Sequence, residues 1–131
     1  MLFVDRELRF DAPLLAVAAD VAAVNEAGIQ DVADSTLRWW RSAIGRLVRF
    51  VGSLRLDELD ARMLFEWHRE IAAGASAVTA NSYLRAVATI LARLVRRGML
   101  ADSPARYVAY LPEPAVSPKA IEESTYLAMR A

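Results

Sequence analysis

The chain has 131 residues, 56% of them hydrophobic and 24% charged, which is the composition of one folded domain with a real core and excludes a disordered segment. It has no cysteine, which excludes a disulfide framework and a thiolate metal site and suits a reducing compartment; the expected setting is the cytoplasm. The 16 basic and 16 acidic side chains cancel, so no overall charge points to a polyanion or to an anionic membrane.

No leader or membrane span is expected. The opening Met1-Leu2-Phe3-Val4-Asp5-Arg6-Glu7 puts acids where a signal peptide carries its positive region. The most apolar run, Leu14 to Val24, is interrupted by Asp20 and is too short to cross a bilayer.

The zero net charge conceals an alternation. Residues 1–34 carry a net −5, 35–56 a net +5, 57–70 a net −3, 71–101 a net +4 and the remainder −1. The two basic segments are built from arginine and contain no acid. Two basic helices separated by acidic ones can share one basic face.

Strand signals are nearly absent, and the pattern predicts helices in chain order. Asp11-Ala12-Pro13 opens a first helix, with Pro13 in its first turn, running through Leu14, Val17, Ala18, Val21 and Val24 and stopping near Gly28. A second helix is capped by Asp34 or Ser35 and carries the seam Leu37, Trp40, Ile44, Leu47, Val48 and Val51 up to Gly52. Asp60 caps a third, with Leu64, Trp67 and Ile71 inside, ending at Gly74. Ser76 opens a fourth, with Tyr83, Leu84, Val87, Leu91, Leu94 and Val95 inside, ending at Gly98. Ser103-Pro104 starts a short helix or turn through Tyr107 and Tyr110. The three prolines between Leu111 and Pro118 predict an extended linker, followed by a last helical stretch from Ala120 to Ala131. The expected fold is therefore all-α, a bundle of four to five helices.

Several chemistries are missing. The only histidine, His68, lies mid-helix and reads as a surface or half-buried structural residue. With no cysteine beside it, no transition-metal site is expected, and no cofactor. There is no phosphate-binding glycine loop and no Ser/His/Asp grouping. Glu66 and Glu70, and Glu122 and Glu123, read as solvated surface. No enzymatic activity and no small-molecule substrate are expected of this chain.

What is present is a pair of polar, basic helix faces. With its seam turned inward, the second helix exposes Arg38, Arg41, Ser42, Gly45 and Arg49. The fourth exposes Asn81, Ser82, Arg85, Thr89 and Arg96. A helix fits the DNA major groove; arginine there meets phosphate or guanine, and asparagine pairs with adenine. A solvated surface in a chain that favours arginine over lysine would look the same. Trp40 reads as core, and Trp39 as its edge, facing the first helix.

The order of these motifs resembles the N-terminal core-binding domain of tyrosine recombinases, the phage integrase and Xer-type family. Thr36, Trp40, Leu47 and Phe50 match a Thr-led helix with an aromatic four residues on and a closing Leu/Phe pattern. Leu56-Asp57-Glu58-Leu59-Asp60 matches an acidic turn, Ala75 to Arg85 a second Thr-led helix, and Ser103-Pro104 with Leu111-Pro112-Glu113-Pro114 the family's short helix and proline-rich linker. Lys119-Ala120-Ile121-Glu122-Glu123 is similar to the start of the family's catalytic domain. The resemblance implies a SAM-like bundle over residues 1–111, with residues 112–131 as linker and catalytic-domain start. It implies double-stranded DNA as partner, the N-terminal parts of the second and fourth helices in the major groove, and self-association through the first helix. Carried to matching positions, the DNA-binding residues are Ser35, Thr36, Arg38, Arg41, Ser42, Thr79, Asn81, Ser82 and Arg85. It implies recognition without cutting, because the family's tyrosine nucleophile belongs to the later domain and Tyr83, Tyr107, Tyr110 and Tyr126 match no nucleophile motif. A helical protein-interaction module and a helix-turn-helix regulator are the alternatives.

Overall fold

Apolar side chains spaced by three and four build four α-helices in the computed structural model, which describes residues 12–114. A 3₁₀ turn at Leu15–Val17 leads into α1 (Ala18–Ala22). Then come α2 (Asp34–Val51), a 3₁₀ turn at Leu56–Glu58, α3 (Ala61–Gly74), α4 (Ala77–Arg96) and a last 3₁₀ turn at Pro104–Tyr107. No strand forms among the described residues, and the fold is an all-α bundle. The expected helix from Ala120 to Ala131 and the linker beyond Pro114 lie outside them.

The central element is α4, which packs on α1, α2, α3 and the Pro104–Tyr107 turn. It buries Ala80, Leu84, Ala86, Val87, Ile90, Leu91 and Leu94. Leu37, Trp40, Ala43, Ile44 and Leu47 meet the same core from α2, and Leu64, Trp67 and Ile71 from α3. Each fully buried Leu or Ile is worth about 1.5–3 kcal/mol relative to an exposed one. Packing therefore holds these helices more than intrinsic propensity does.

The helix ends follow local chemistry in most places. Asp60 accepts the Met63 N–H at 2.8 Å, and Ser76 accepts the Thr79 N–H at 3.1 Å, as the capping readings expected. Gly52 closes α2 at φ 86°, a conformation that β-carbon-bearing residues adopt only at a cost. Only Ala75 and Ser76 separate α3 from α4.

Two expectations are corrected. The first helix is only five residues long. Its predicted start is extended instead: the Leu15 N–H donates to the Leu54 carbonyl and the Leu56 N–H to the Pro13 carbonyl. Its end comes early because Asn25 takes over the backbone, its side-chain oxygen accepting the Ala27 and Ile29 N–H groups. The cap of α2 is neither Asp34 nor Ser35. The N-cap position is Ala33, with no side-chain bond. Asp34 lies one residue inside, where its charge still complements the helix dipole and its carboxylate accepts from Gln30.

Candidate nucleic-acid interface

The seam of α2 turns Leu37, Trp40, Ile44 and Leu47 into the core. That leaves Ser35, Arg38, Ser42 and Arg49 exposed on the opposite stripe. Gly45 keeps this stripe low: a β-carbon there would approach nothing closer than the Arg49 guanidinium, at 4.0 Å. On α4, Arg85 and Thr89 are exposed and Ser82 is half-buried.

The two helices meet along a groove of about 390 Å³ lined by Trp39, Trp40, Ser82, Arg85, Ala86 and Thr89. Trp39 does not face α1 as expected. Its ring stacks at a tilt on Tyr83 of α4, with centroids 4.8 Å apart. Tyr83 is in turn edge-on to Trp67 at 6.2 Å and lies under the Arg46 guanidinium at 4.9 Å. This aromatic wedge sets the spacing of α2 and α4 on the polar side of the core.

The predicted site residues divide. Ser35, Arg38, Ser42 and Arg85 are exposed, and Thr36 and Ser82 are half-buried. Arg38 has no ion-pair partner among the described residues. Arg41 is exposed but engaged, bonding Asp20 of α1 through Nε at 2.7 Å and Nη2 at 2.6 Å. Thr79 is occupied by the cap of α4, with its N–H and its hydroxyl both on Ser76. Arg85 lies over the Tyr110 ring at 5.2 Å.

Asn81 is a correction. It does not point outward but is 1% exposed, because the last turn and the chain through Leu111 cover that side of α4. Its amide bonds His68, Leu111 and Glu113, so it is not available to a base. His68 is likewise fully buried and not a surface or half-buried residue.

The basic segment of α4 is also less available than its charge implies. Arg93 donates to the Ala22 carbonyl at 2.7 Å, pairs with Asp31 and lies over the Trp40 ring. Arg97 donates to the Val21 carbonyl at 2.8 Å. Both close the C-terminal end of α1, whose last carbonyls have no partner within their own helix. Among the described residues Arg38 and Arg49 of α2 and Arg85 of α4 are exposed without an ion-pair partner, while Arg46, over Tyr83, lines with Arg49 a second groove beside Trp67, Glu70 and Ile71 of α3.

Sequence reasoning missed the wedge of Trp39, Arg46 and Tyr83, and Tyr110. The spacing of Trp39 and Arg46, seven residues apart beside the seam, was the available signal. Among the described residues no group of three or more His, Asp or Glu side chains is arranged to hold a metal. No helix there is long and apolar enough to cross a membrane. Comparisons of the chain with protein-family models, curated protein sequences and solved structures found no match.

Proposed function

We propose that this all-α bundle is a DNA-binding domain of the tyrosine-recombinase core-binding type, SAM-like in fold. It grips one face of a duplex through α2 and α4 during site-specific recombination or DNA integration. It contributes recognition and no catalysis, and the reading carries with it a cytoplasmic setting. The observation that supports it is the groove between α2 and α4, where Arg85 and the hydroxyls of Ser82 and Thr89 line one side and Trp39 and Trp40 the other, with Arg38 exposed on the neighbouring stripe of α2. Arginine beside such a groove suits phosphate, and small hydroxyl side chains along it suit base edges; the Thr89 hydroxyl donates to the Arg85 carbonyl at 3.0 Å and keeps its lone pairs for a donor.

The test is the salt dependence of duplex binding by Arg38→Ala, Arg85→Ala. Each lost phosphate contact removes about 0.9 from the slope of log K against log salt, so the double variant flattens it by about two. An unchanged slope and affinity would overturn this residue assignment.

A second reading, self-association through the N-terminal region, is favoured by the exposure of Leu14 and Val17 beside α1. Self-association without DNA that is abolished by Val17→Asp would support it over DNA binding.

A further inference from the structure

His68 of α3 and Asn81 of α4 are the two polar side chains buried in the core of the described residues. His68 Nε2 is 2.8 Å from Asn81 Oδ1. The Asn81 amide then reaches the extended chain after the last turn. Its Nδ2 donates to the Leu111 carbonyl at 2.8 Å and to Glu113 Oε2 at 2.9 Å, and its Oδ1 accepts the Leu111 N–H at 3.0 Å. One side chain thus pairs with both backbone groups of Leu111, as a neighbouring strand would.

The network fixes the hydrogens. A flipped amide would set its oxygen against a carbonyl and a carboxylate, which both accept, so Nδ2 must face them. Oδ1 then faces His68, whose Nε2 therefore carries a hydrogen and donates it. All four hydrogen-bonding positions of the amide are filled. His68 Nδ1 is buried without a partner among the described residues.

Burying two polar side chains is unfavourable unless they are hydrogen-bonded, and most of the bonds that satisfy Asn81 run to the later chain. What these bonds hold is the chain from Tyr110 to Glu113. Tyr110 is the residue whose ring lies under Arg85, and Arg85 is one helical turn beyond Asn81 on α4. We infer that the His68–Asn81 pair is a clamp that fixes residues 110–113 against α4 and so sets Tyr110 beside Arg85. Asn81 is a positioning residue that acts through Leu111, and His68 acts through Asn81. The clamp stands on its geometry alone; its consequence for the basic face, that Tyr110 forms its edge, rests on the DNA-binding reading.

The experiment is amide hydrogen exchange by NMR on the full chain, with the Arg85 side-chain shifts read in parallel. In the unaltered protein the Leu111 N–H exchanges far more slowly than its intrinsic rate, and Arg85 shows the ring-current displacement of a neighbouring aromatic. In Asn81→Ala the Leu111 amide exchanges about tenfold faster or more, and Arg85 loses the displacement. Asn81→Asp has the same effect, because its second oxygen faces two acceptors. The amides of Ile90 and Leu91 lose less protection than Leu111 in both, the part they lose being the global cost of the altered buried polar pair. Glu113→Ala, on the surface, produces a smaller acceleration and needs no change in the core. A Leu111 amide that is unprotected in the unaltered protein would overturn the clamp without any variant. So would Asn81→Ala if Leu111 and Arg85 were unchanged, or if Ile90 and Leu91 lost protection in step with Leu111. A protein that passes this test yet binds no duplex loses the DNA reading and keeps the clamp.

Discussion

A guanidinium can close a helix end, pair with an acid, lie over a ring or stay exposed to solvent, and this chain uses arginine for all four. Arg93 and Arg97 tie α4 to the end of α1, and Arg41 ties α2 to Asp20. Arg93→Ala removes the 2.7 Å bond to the buried Ala22 carbonyl, which keeps only the longer Arg97 bond at 3.4 Å, and takes the partner from exposed Asp31. It should lower the unfolding free energy by about 1–3 kcal/mol in a urea titration, whereas exposed Arg38→Ala should stay within about 0.5 kcal/mol. Gly45 offers a complementary prediction. Alanine fits without a close contact and is the better helix former, so Gly45→Ala should raise stability by up to about 1 kcal/mol. If DNA approaches this flat stripe, the same variant should bind the duplex more weakly while being more stable. At this scale the sequence displayed the charges but not their partners. Asp31 and Arg93 are 62 residues apart, and Asn81 and Leu111 are 30 apart. Periodicity placed Asn81 on the outer edge of its helix, and only the later chain that covers this edge makes it a core residue.

Helices α3 and α4 and the end of α2 were legible because their boundaries are written in neighbouring residues: Gly52, Asp60 and Ser76 act on backbone groups within one turn, whereas the start of α2 falls at Ala33 with no capping side chain. The first helix was not, because pairing with the loop at residues 54–56, far along the chain, keeps its start extended. The Pro104–Tyr107 turn was legible from Ser103-Pro104, and it carries a pH signature of its own. The Tyr107 hydroxyl donates to Asp102 Oδ2 at 2.8 Å and Arg106 donates to Oδ1 at 3.0 Å. These two bonds, the Tyr107 bond foremost, hold the Asp102 carboxyl below the usual carboxylate range. The bond to Asp102 also holds the Tyr107 phenol above its ordinary value, against a smaller opposing effect of Arg106. The depressed acid stabilises the turn above the usual carboxylate range and loses that contribution as pH falls through its lowered value. The raised phenol contributes below the ordinary tyrosine range and loses that contribution as pH rises through its raised value. A spectrophotometric titration should therefore show Tyr107 ionising later than an ordinary tyrosine, and Asp102→Ala should abolish the delay.

Taken as a whole, the molecule has one helix at its centre. The inner side of α4 binds the other three helices, and its outer side supplies half of the candidate interface. Any ligand on the groove therefore touches the element on which the core depends, and the clamp at Asn81 connects that element to the chain that follows. The candidate interface was legible in part: exposed Arg38, Ser42 and Arg85 follow from helical periodicity, while the aromatic wedge of Trp39 and Tyr83 depends on how two helices cross. On the proposed reading, the arginines of α2 and α4 form one footprint for duplex DNA. The most direct test is a fluorescence-anisotropy titration of a random-sequence duplex across a salt series. Affinity should then fall steeply with salt, with a slope equivalent to about four phosphate contacts, one for each of Arg38, Arg46, Arg49 and Arg85. Absence of binding at low salt, or an affinity indifferent to salt, would contradict that reading.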